Sequence, residues 1–191
     1  MKIIVFNNNY NSEPCGHSNG WYLVADSAMT NTGKPFYLPE NLGDTEVALS
    51  MAIKISRLGK NIDSKFSSRY YSELAPALHF RLPDYETELK SKGLATDASH
   101  SFDKSLFIGD FVPMDSIVEL ELRLNGDKVS LFDRNCLNMP LEDVIHKVSR
   151  LNTLKIGDII LPGLGDWVKI KEGDFLEVIN KEERSFHVKI K

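Results

Sequence analysis

The 191-residue chain carries few groups able to do chemistry near neutral pH, and they are scattered along it. His79 and His100 are imidazoles whose ordinary pKa suits proton transfer. Arg134 offers a guanidinium fork that matches a substrate carboxylate. Glu13 and Glu46 add two carboxylates. Brought together by a fold, these five residues could serve acid–base chemistry on an organic acid. Two cysteines, Cys15 and Cys136, form no C-x-x-C pair and have no zinc spacing. They read as free thiols of a reducing cytosol. A hard cation such as Mg²⁺ asks for carboxylates, and two acids at i and i+2 on a strand would face one ion together. The stretch "DTEVALSMAIKI", Asp44 to Ile55, has the strand alternation for such a pair. After Glu46, however, its even positions are Ala48 and Ser50.

The elements that must position these residues are mainly strands. Val47, Leu49, Met51, Ile53 and Ile55 fall on one face of an extended segment and predict core; the even face should point to something small or polar. "MKIIVFNNNY" carries a four-residue apolar run, too short for a secretory segment and better read as a first strand. "NNNYNSEPCGHSNG" reads as a loop, "WYLVA" and "PFYLP" as short strands. "DSKFSSRYYSEL" is expected to form a short helix, "APALHFRLP" a strand stopped by Pro83, "DYETELKSKG" a helix ended by Gly93, and "KSLFIGDFVP" another strand. Val118, Leu120, Leu122 and Leu124 alternate with polar residues up to Asn125-Gly126, which marks a tight hairpin. "PLEDVIHKVSRL" is an amphipathic helix with Leu141, Val144, Ile145, Val148 and Leu151 on one face and Pro140 in its first turn. Phe186, Val188 and Ile190 alternate in a last strand. The sum is an α+β, β-rich chain forming a single domain over residues 1–191, with residues 1–45 a candidate small N-terminal lobe.

Composition narrows the function classes. Hydrophobic residues make up 42% and charged residues 26%, ordinary for a globular domain. The net charge of −4 and the lack of a basic aromatic stripe give no basis for nucleic-acid or anionic-membrane binding. No apolar run is long enough to span a bilayer. The chain is expected to be cytoplasmic.

Several segments carry a specific resemblance. "NTLKIGDIILPGLG" looks like the "tL-x-pGD-ii-x-tGtP" signature of the fumarylacetoacetate hydrolase family. "LRLNGDKVSLFDRNCLNMPLEDVIHKVSRLNTL" is similar to the hairpin and helix before it, and "RLGKNI", "RYYSEL", "SKGL", "SFDKSLFIGDFVP" and "EGD" match in order. The resemblance implies a mixed β-roll with a few short helices, in homodimers. It also implies Mg²⁺, or sometimes Mn²⁺ or Ca²⁺, held by an E-x-E on one strand and an Asp on a later one. Such a metal chelates a 2-oxo or β-diketo acid and stabilises the enolate as a C–C bond breaks or a double bond migrates.

The same resemblance places Ala48, Ser50 and His79 at the three ligand positions. A two-residue slip would make Glu46 the first ligand and leave Ala48 at the second. Asn9 and Tyr10 match the start of the family's N-terminal motif, but Glu13 replaces its catalytic His and Gly16 its Glu; His17 stands nearby. Val24 and His100 replace lysines, Leu131 a Gln, Arg134 a Thr, and Leu164 the Thr of the "TGTP" loop, where Gly163 remains. Asp84 matches an acid that is not a ligand. The expectation is therefore a non-catalytic or strongly impaired paralogue with no metal cofactor. Its expected partners are a second copy, a small carboxylate ligand or an active homologue. The alternative is a hydrolase, isomerase or decarboxylase of 2-oxo or β-dicarbonyl acids working through a site rebuilt from Glu13, His79, His100 and Arg134.

Overall fold

The computed structural model describes residues 1–10 and 20–191. Two 11-residue strands form its spine. The strands in chain order are β1 (Ile3–Phe6), β2 (Trp21–Val24), β3 (Met29–Asn31), β4 (Thr45–Ile55), β5 (Tyr71–Arg81), β6 (Leu106–Ile108), β7 (Val112–Pro113), β8 (Glu119–Leu124), β9 (Asp127–Asp133), β10 (Ile159–Leu161), β11 (Trp167–Ile170), β12 (Phe175–Asn180) and β13 (Glu183–Lys189). The helices are α1 (Pro83–Ser91) and α2 (Leu141–Leu151). Among the described residues, none is long and apolar enough to cross a membrane.

β4 and β5 pair antiparallel from Glu46↔Arg81 to Ile55↔Tyr71. The larger sheet runs β2-β1-β10-β4-β5-β6-β3, with β11 paired to the start of β4 and β7 to the start of β5. A smaller antiparallel sheet, β13-β12-β8-β9, faces it. The odd residues of β4 join Leu74, Leu78 and Phe80 of β5, Leu120, Leu122 and Phe132 of the hairpin, Val144, Ile145 and Val148 of α2, and Leu176, Val178, Phe186 and Val188. This is one continuous core between the two sheets.

The even face of β4 is a correction. It was expected to look out on something small or polar, but Ala48, Ser50 and Ala52 are fully buried. Ala52, with Ala75 and Ala77 of β5, packs against Ile3, Val5, Leu106, Ile159 and Leu161 in a second core. The small side chains are there because the sheet is covered on both faces.

Other local differences have plain causes. "PFYLP" forms no strand. Pro35 and Pro39 cannot donate to a ladder, and Phe36 instead makes a single bridge to Ile190 while its ring stacks on Phe80 at 4.2 Å. "DSKFSSRYYSEL" gives only 3₁₀ turns over Ser64–Tyr70, because Tyr71 already opens β5. "KSLFIGDFVP" is split in two. Gly109 donates its N–H to the Pro76 carbonyl, and a Cβ there would lie 2.9 Å from the Pro76 ring. Pro83 does more than stop a strand, since it opens α1. Leu151, expected on the buried face of α2, is 74% exposed at the helix end. The hairpin is as read, with Asn125 at φ 54° and Gly126 at φ 95°.

β1 lies between β2 and β10, and one carboxylate fastens it there. Asp158, fully buried, accepts from the Lys2 backbone N–H at 2.8 Å and the Lys155 N–H at 2.8 Å, and pairs with the Lys2 ammonium at 2.5 Å. Burial works to raise its pKa, but the Lys2 ammonium and the two N–H donors overcome this and hold it below the usual carboxylate range. The stabilisation is therefore complete above the unfolded-state pKa and is lost as pH falls through the folded one. Asp158→Asn should cost about 2 kcal/mol in urea unfolding at pH 7. The deficit should narrow below about pH 4, where wild type loses the same charge.

Candidate functional site

Three neighbouring strands bring the expected ligand positions together. In register, Trp167 of β11 lies beside Ala48 of β4, and Ala48 beside His79 of β5. Ser50, two residues along β4, shares that face. All three positions, Ala48, Ser50 and His79, are fully buried.

His79 is held at both ring nitrogens. Nδ1 lies 3.0 Å from the Ser105 carbonyl, and Nε2 lies 2.8 Å from the Tyr22 hydroxyl. A carbonyl can only accept, so the proton sits on Nδ1 and Tyr22 donates to Nε2. Burial, then the neighbouring His100 and Arg81, push its pKa down to about 3. The imidazole is neutral at any physiological pH. Burial also raises the Tyr22 phenol well above its ordinary value. Ser50 donates to the Gly163 carbonyl at 2.5 Å, tying β4 to the "PGLG" loop.

His100 follows a short turn after α1 and is 8% exposed. Its ring packs 4.8 Å from that of Tyr22 and 6.2 Å from His79. Nε2 lies 3.6 Å from a Glu86 carboxylate oxygen, while Nδ1 is buried with no hydrogen-bond partner among the described residues. Burial lowers the His100 pKa, and Glu86 opposes that without reversing it. Burial would raise Glu86, but Lys90 and His100 hold it down.

The remaining candidates are placed as follows. Glu46 is not a free acid: it forms a salt bridge with Arg81, its cross-strand neighbour, at 2.7 and 2.8 Å. The Arg81 guanidinium in turn lies 4.1 Å over the Trp167 ring. Asp84 accepts from the Asp44 N–H and seats against Gly43, whose φ of 81° suits glycine. Arg134 lies elsewhere. It donates to the Met114 carbonyl at 2.8 Å and lines a cavity of about 370 Å³ with Tyr71, Asp115 and Glu142. Tyr71 stands eight residues before His79 on β5, roughly 26 Å of extended chain away. Glu13, Cys15, Gly16 and His17 fall outside the described residues, and Cys136 is an exposed free thiol.

Asn9 and Tyr10 clamp the loops around the site. Asn9 donates to the Pro162 and Met139 carbonyls and accepts from the Met139 N–H. Tyr10 donates to the Leu131 carbonyl and accepts from the Asp133 N–H. Sequence reasoning missed Tyr22, Glu86, Arg81 and Trp167. For Tyr22 a faint signal existed, a phenol within a short apolar strand, since a buried Tyr needs a partner for its hydroxyl.

The residues present do not fit a Mg²⁺ ion. Ala48 has no donor atom, the Ser50 hydroxyl is spent on Gly163, and both His79 nitrogens are engaged. Among the described residues no cluster of three or more His, Cys, Asp or Glu side chains could hold a metal. Among the described residues of the cluster, His100 keeps one nitrogen toward Glu86 and the other unpaired.

Comparison with known proteins sets this geometry in a family. The chain is 26% identical over 162 residues to a mitochondrial oxaloacetate tautomerase of Rattus norvegicus, covering 82% of this chain and 73% of that one. It is 28% identical over 155 residues to a mitochondrial oxaloacetate decarboxylase of Dictyostelium discoideum, covering 78% and 71%. The fold superposes on the fumarylpyruvate hydrolase of Pseudomonas aeruginosa in complex with Mn²⁺ and pyruvate, with a TM-score of 0.89 at 15% identity, over 100% of this chain and 89% of that one. The description "Fumarylacetoacetate (FAA) hydrolase C-terminal" matches residues 8–181. With its strand-rich α+β roll, the chain belongs to the fumarylacetoacetate hydrolase family.

Proposed function

We propose that this chain is a family member that has given up metal-dependent C–C chemistry and keeps the roll as a non-catalytic or strongly impaired paralogue. Its remaining role is binding: a small carboxylate, a second copy of itself or an active homologue. One observation carries the reading. The position matched to the third metal ligand is a fully buried, neutral imidazole with both nitrogens hydrogen-bonded, beside an alanine. Breaking a C–C bond next to a carbonyl leaves an electron pair that needs a sink. The cation beside this face, the Arg81 guanidinium, is paired with Glu46 and stacked on Trp167, so it is already neutralised and not free to act as that sink.

A second reading rests on His100. Keto–enol tautomerisation asks for much less. One C–H bond breaks, one O–H bond forms, the double bond shifts, and a positioned acid–base group suffices. With Nε2–H toward Glu86, the unpaired Nδ1 of His100 presents a lone pair in a buried polar setting. The curated relatives named as oxaloacetate tautomerases make this the reaction to test first.

Calorimetry with Mg²⁺ or Mn²⁺ should show no saturable binding at millimolar concentrations. Ketonisation of enol-oxaloacetate, followed by ultraviolet absorbance, should run at the same rate with protein, with protein plus Mg²⁺, and without protein. A tenfold acceleration that requires the metal would sink the first reading. A metal-independent acceleration lost about 100-fold in His100→Gln would establish the second.

His79 gives a separate stability signature. Its folded pKa of about 3 lies below the unfolded value of about 6.5. Between these values only the unfolded chain takes up the proton, so stability is full above pH 6.5 and falls as pH drops towards 3. The slope should reach at most about 1.4 kcal/mol per pH unit, with His100 adding in the same direction. Denaturant titrations of wild type and His79→Gln should show a shallower pH dependence in the variant. Tyr22→Phe leaves Nε2 of His79 buried without its donor and should cost about 1–3 kcal/mol at pH 7.

A further inference from the structure

A second concentration of charge lies on the outer face of the smaller sheet, on β13 and the segment that follows it. Phe186, Val188 and Ile190 turn into the core, so His187, Lys189 and Lys191 share the opposite face. The turn at residues 32–35 comes up beside them. Gly33, at φ 89°, lets the chain reverse there, and nothing lies within 4 Å of the Cβ it lacks. The two walls are fixed to each other. The Phe36 N–H donates to the Lys189 carbonyl at 2.9 Å, and the Lys191 N–H donates to the Phe36 carbonyl at 2.8 Å.

Between the walls is a cavity of about 200 Å³ lined by Gly33, Lys34, Pro35, His187, Lys189 and Lys191. No Asp or Glu side chain lines it. Lys34, Lys189 and Lys191 make no ion pair among the described residues. The nearby acids are committed or set aside. Glu177, opposite His187 on β12, pairs with Arg184 at 3.1 Å. Asp174 is buried and accepts from the Asn125 amide and the Lys171 N–H. Glu172 lines the adjoining cavity, which Lys189 and Lys191 also border. Lys104 sits just outside, 5.0 Å over the Tyr37 ring and 3.4 Å from the Pro35 carbonyl. A protein of net charge −4 thus lines one cleft with three lysines and a histidine, none in an ion pair among the described residues.

We propose that this cleft is a binding site for a compact polyvalent anion of the diphosphate class. Ammonium groups lining one cleft without an ion-pair partner attract such an ion, and the backbone bonds between the walls keep the segments that carry them together. Size selects within the class. A cleft of 200 Å³ falls below the roughly 300–1,000 Å³ of ordinary organic-ligand pockets, so its own lining meets only the phosphoryl groups. The site is independent of the imidazole cluster and of either reading of the function.

The test is calorimetric titration of the full chain with inorganic pyrophosphate and, separately, ADP at low ionic strength. Pyrophosphate should bind saturably at one site, more weakly as NaCl is raised, and ADP should bind no tighter. Lys34→Gln and Lys189→Gln should each weaken binding about tenfold, as expected for losing a charge-assisted hydrogen bond. Lys60→Gln, on an exposed loop elsewhere, should leave it unchanged. Absence of saturable binding at 10 mM pyrophosphate, equal weakening by all three substitutions, or markedly tighter binding of ADP would each overturn the proposal.

Discussion

The organising constraint is that the β4–β5 ladder is buried on both faces. A half-exposed sheet can leave polar groups on its outer side to water. Here the second face joins same-face residues of β1, β10 and β6, strands of the same sheet, in a buried cluster, so every group in it must be apolar, hydrogen-bonded or matched by an opposite charge. An E-x-E at Ala48 and Ser50 would satisfy that rule only with a cation between the carboxylates. Without the ion it would bury two unpaired charges of like sign, several kcal/mol against the fold. Acids at these positions and an ion between them are therefore physically coupled, since neither is stable on this face without the other. The neutral state of His79 follows from the same rule, since a protonated imidazole on this face would itself be an unpaired buried charge.

The framework around the site survives because it depends on other interactions. Asn9 joins the loop before β11 to the loop before α2 through three hydrogen bonds, and Tyr10 ties β9 in from the other side. These contacts are made to backbone atoms and do not depend on which side chains line the face between them. Ser50 joins the same network by donating to Gly163, where a ligand would have turned toward an ion. A scaffold fastened through its main chain does not depend on the side chains that line the site.

How much of this could be read beforehand follows from where the information lies. The β4 core stripe, the β8–β9 hairpin, α1, α2 and the last strand were legible because periodicity and turn residues are local. The helix expected around Phe66 and the strand expected around Phe36 failed because tertiary partners decided them: Tyr71 was claimed by β5, and Phe36 by Phe80 and Ile190. The burial of the even face of β4 was invisible for the same reason, since its cover comes from both ends of the chain. Ala48, Ser50 and His79 could be matched to a site by resemblance. Tyr22, Arg81 and Trp167, which fill and brace it, could not, because they lie on three different strands and touch only in the folded state.

That filling bears on what the site can still become. Arg81 lies over the Trp167 ring and is held there by Glu46, so the wall beside Ala48 is braced by a salt bridge and a cation–π contact together. Tyr22 closes the opposite side through His79 and His100. A carboxylate at position 48 would meet the indole, a neutral imidazole and a guanidinium already paired with Glu46. His100 stands apart from that constraint. Its Nδ1 is already unpaired and its Nε2 already faces a carboxylate. Of the two imidazoles, His100 is thus the one whose hydrogen bonding is incomplete.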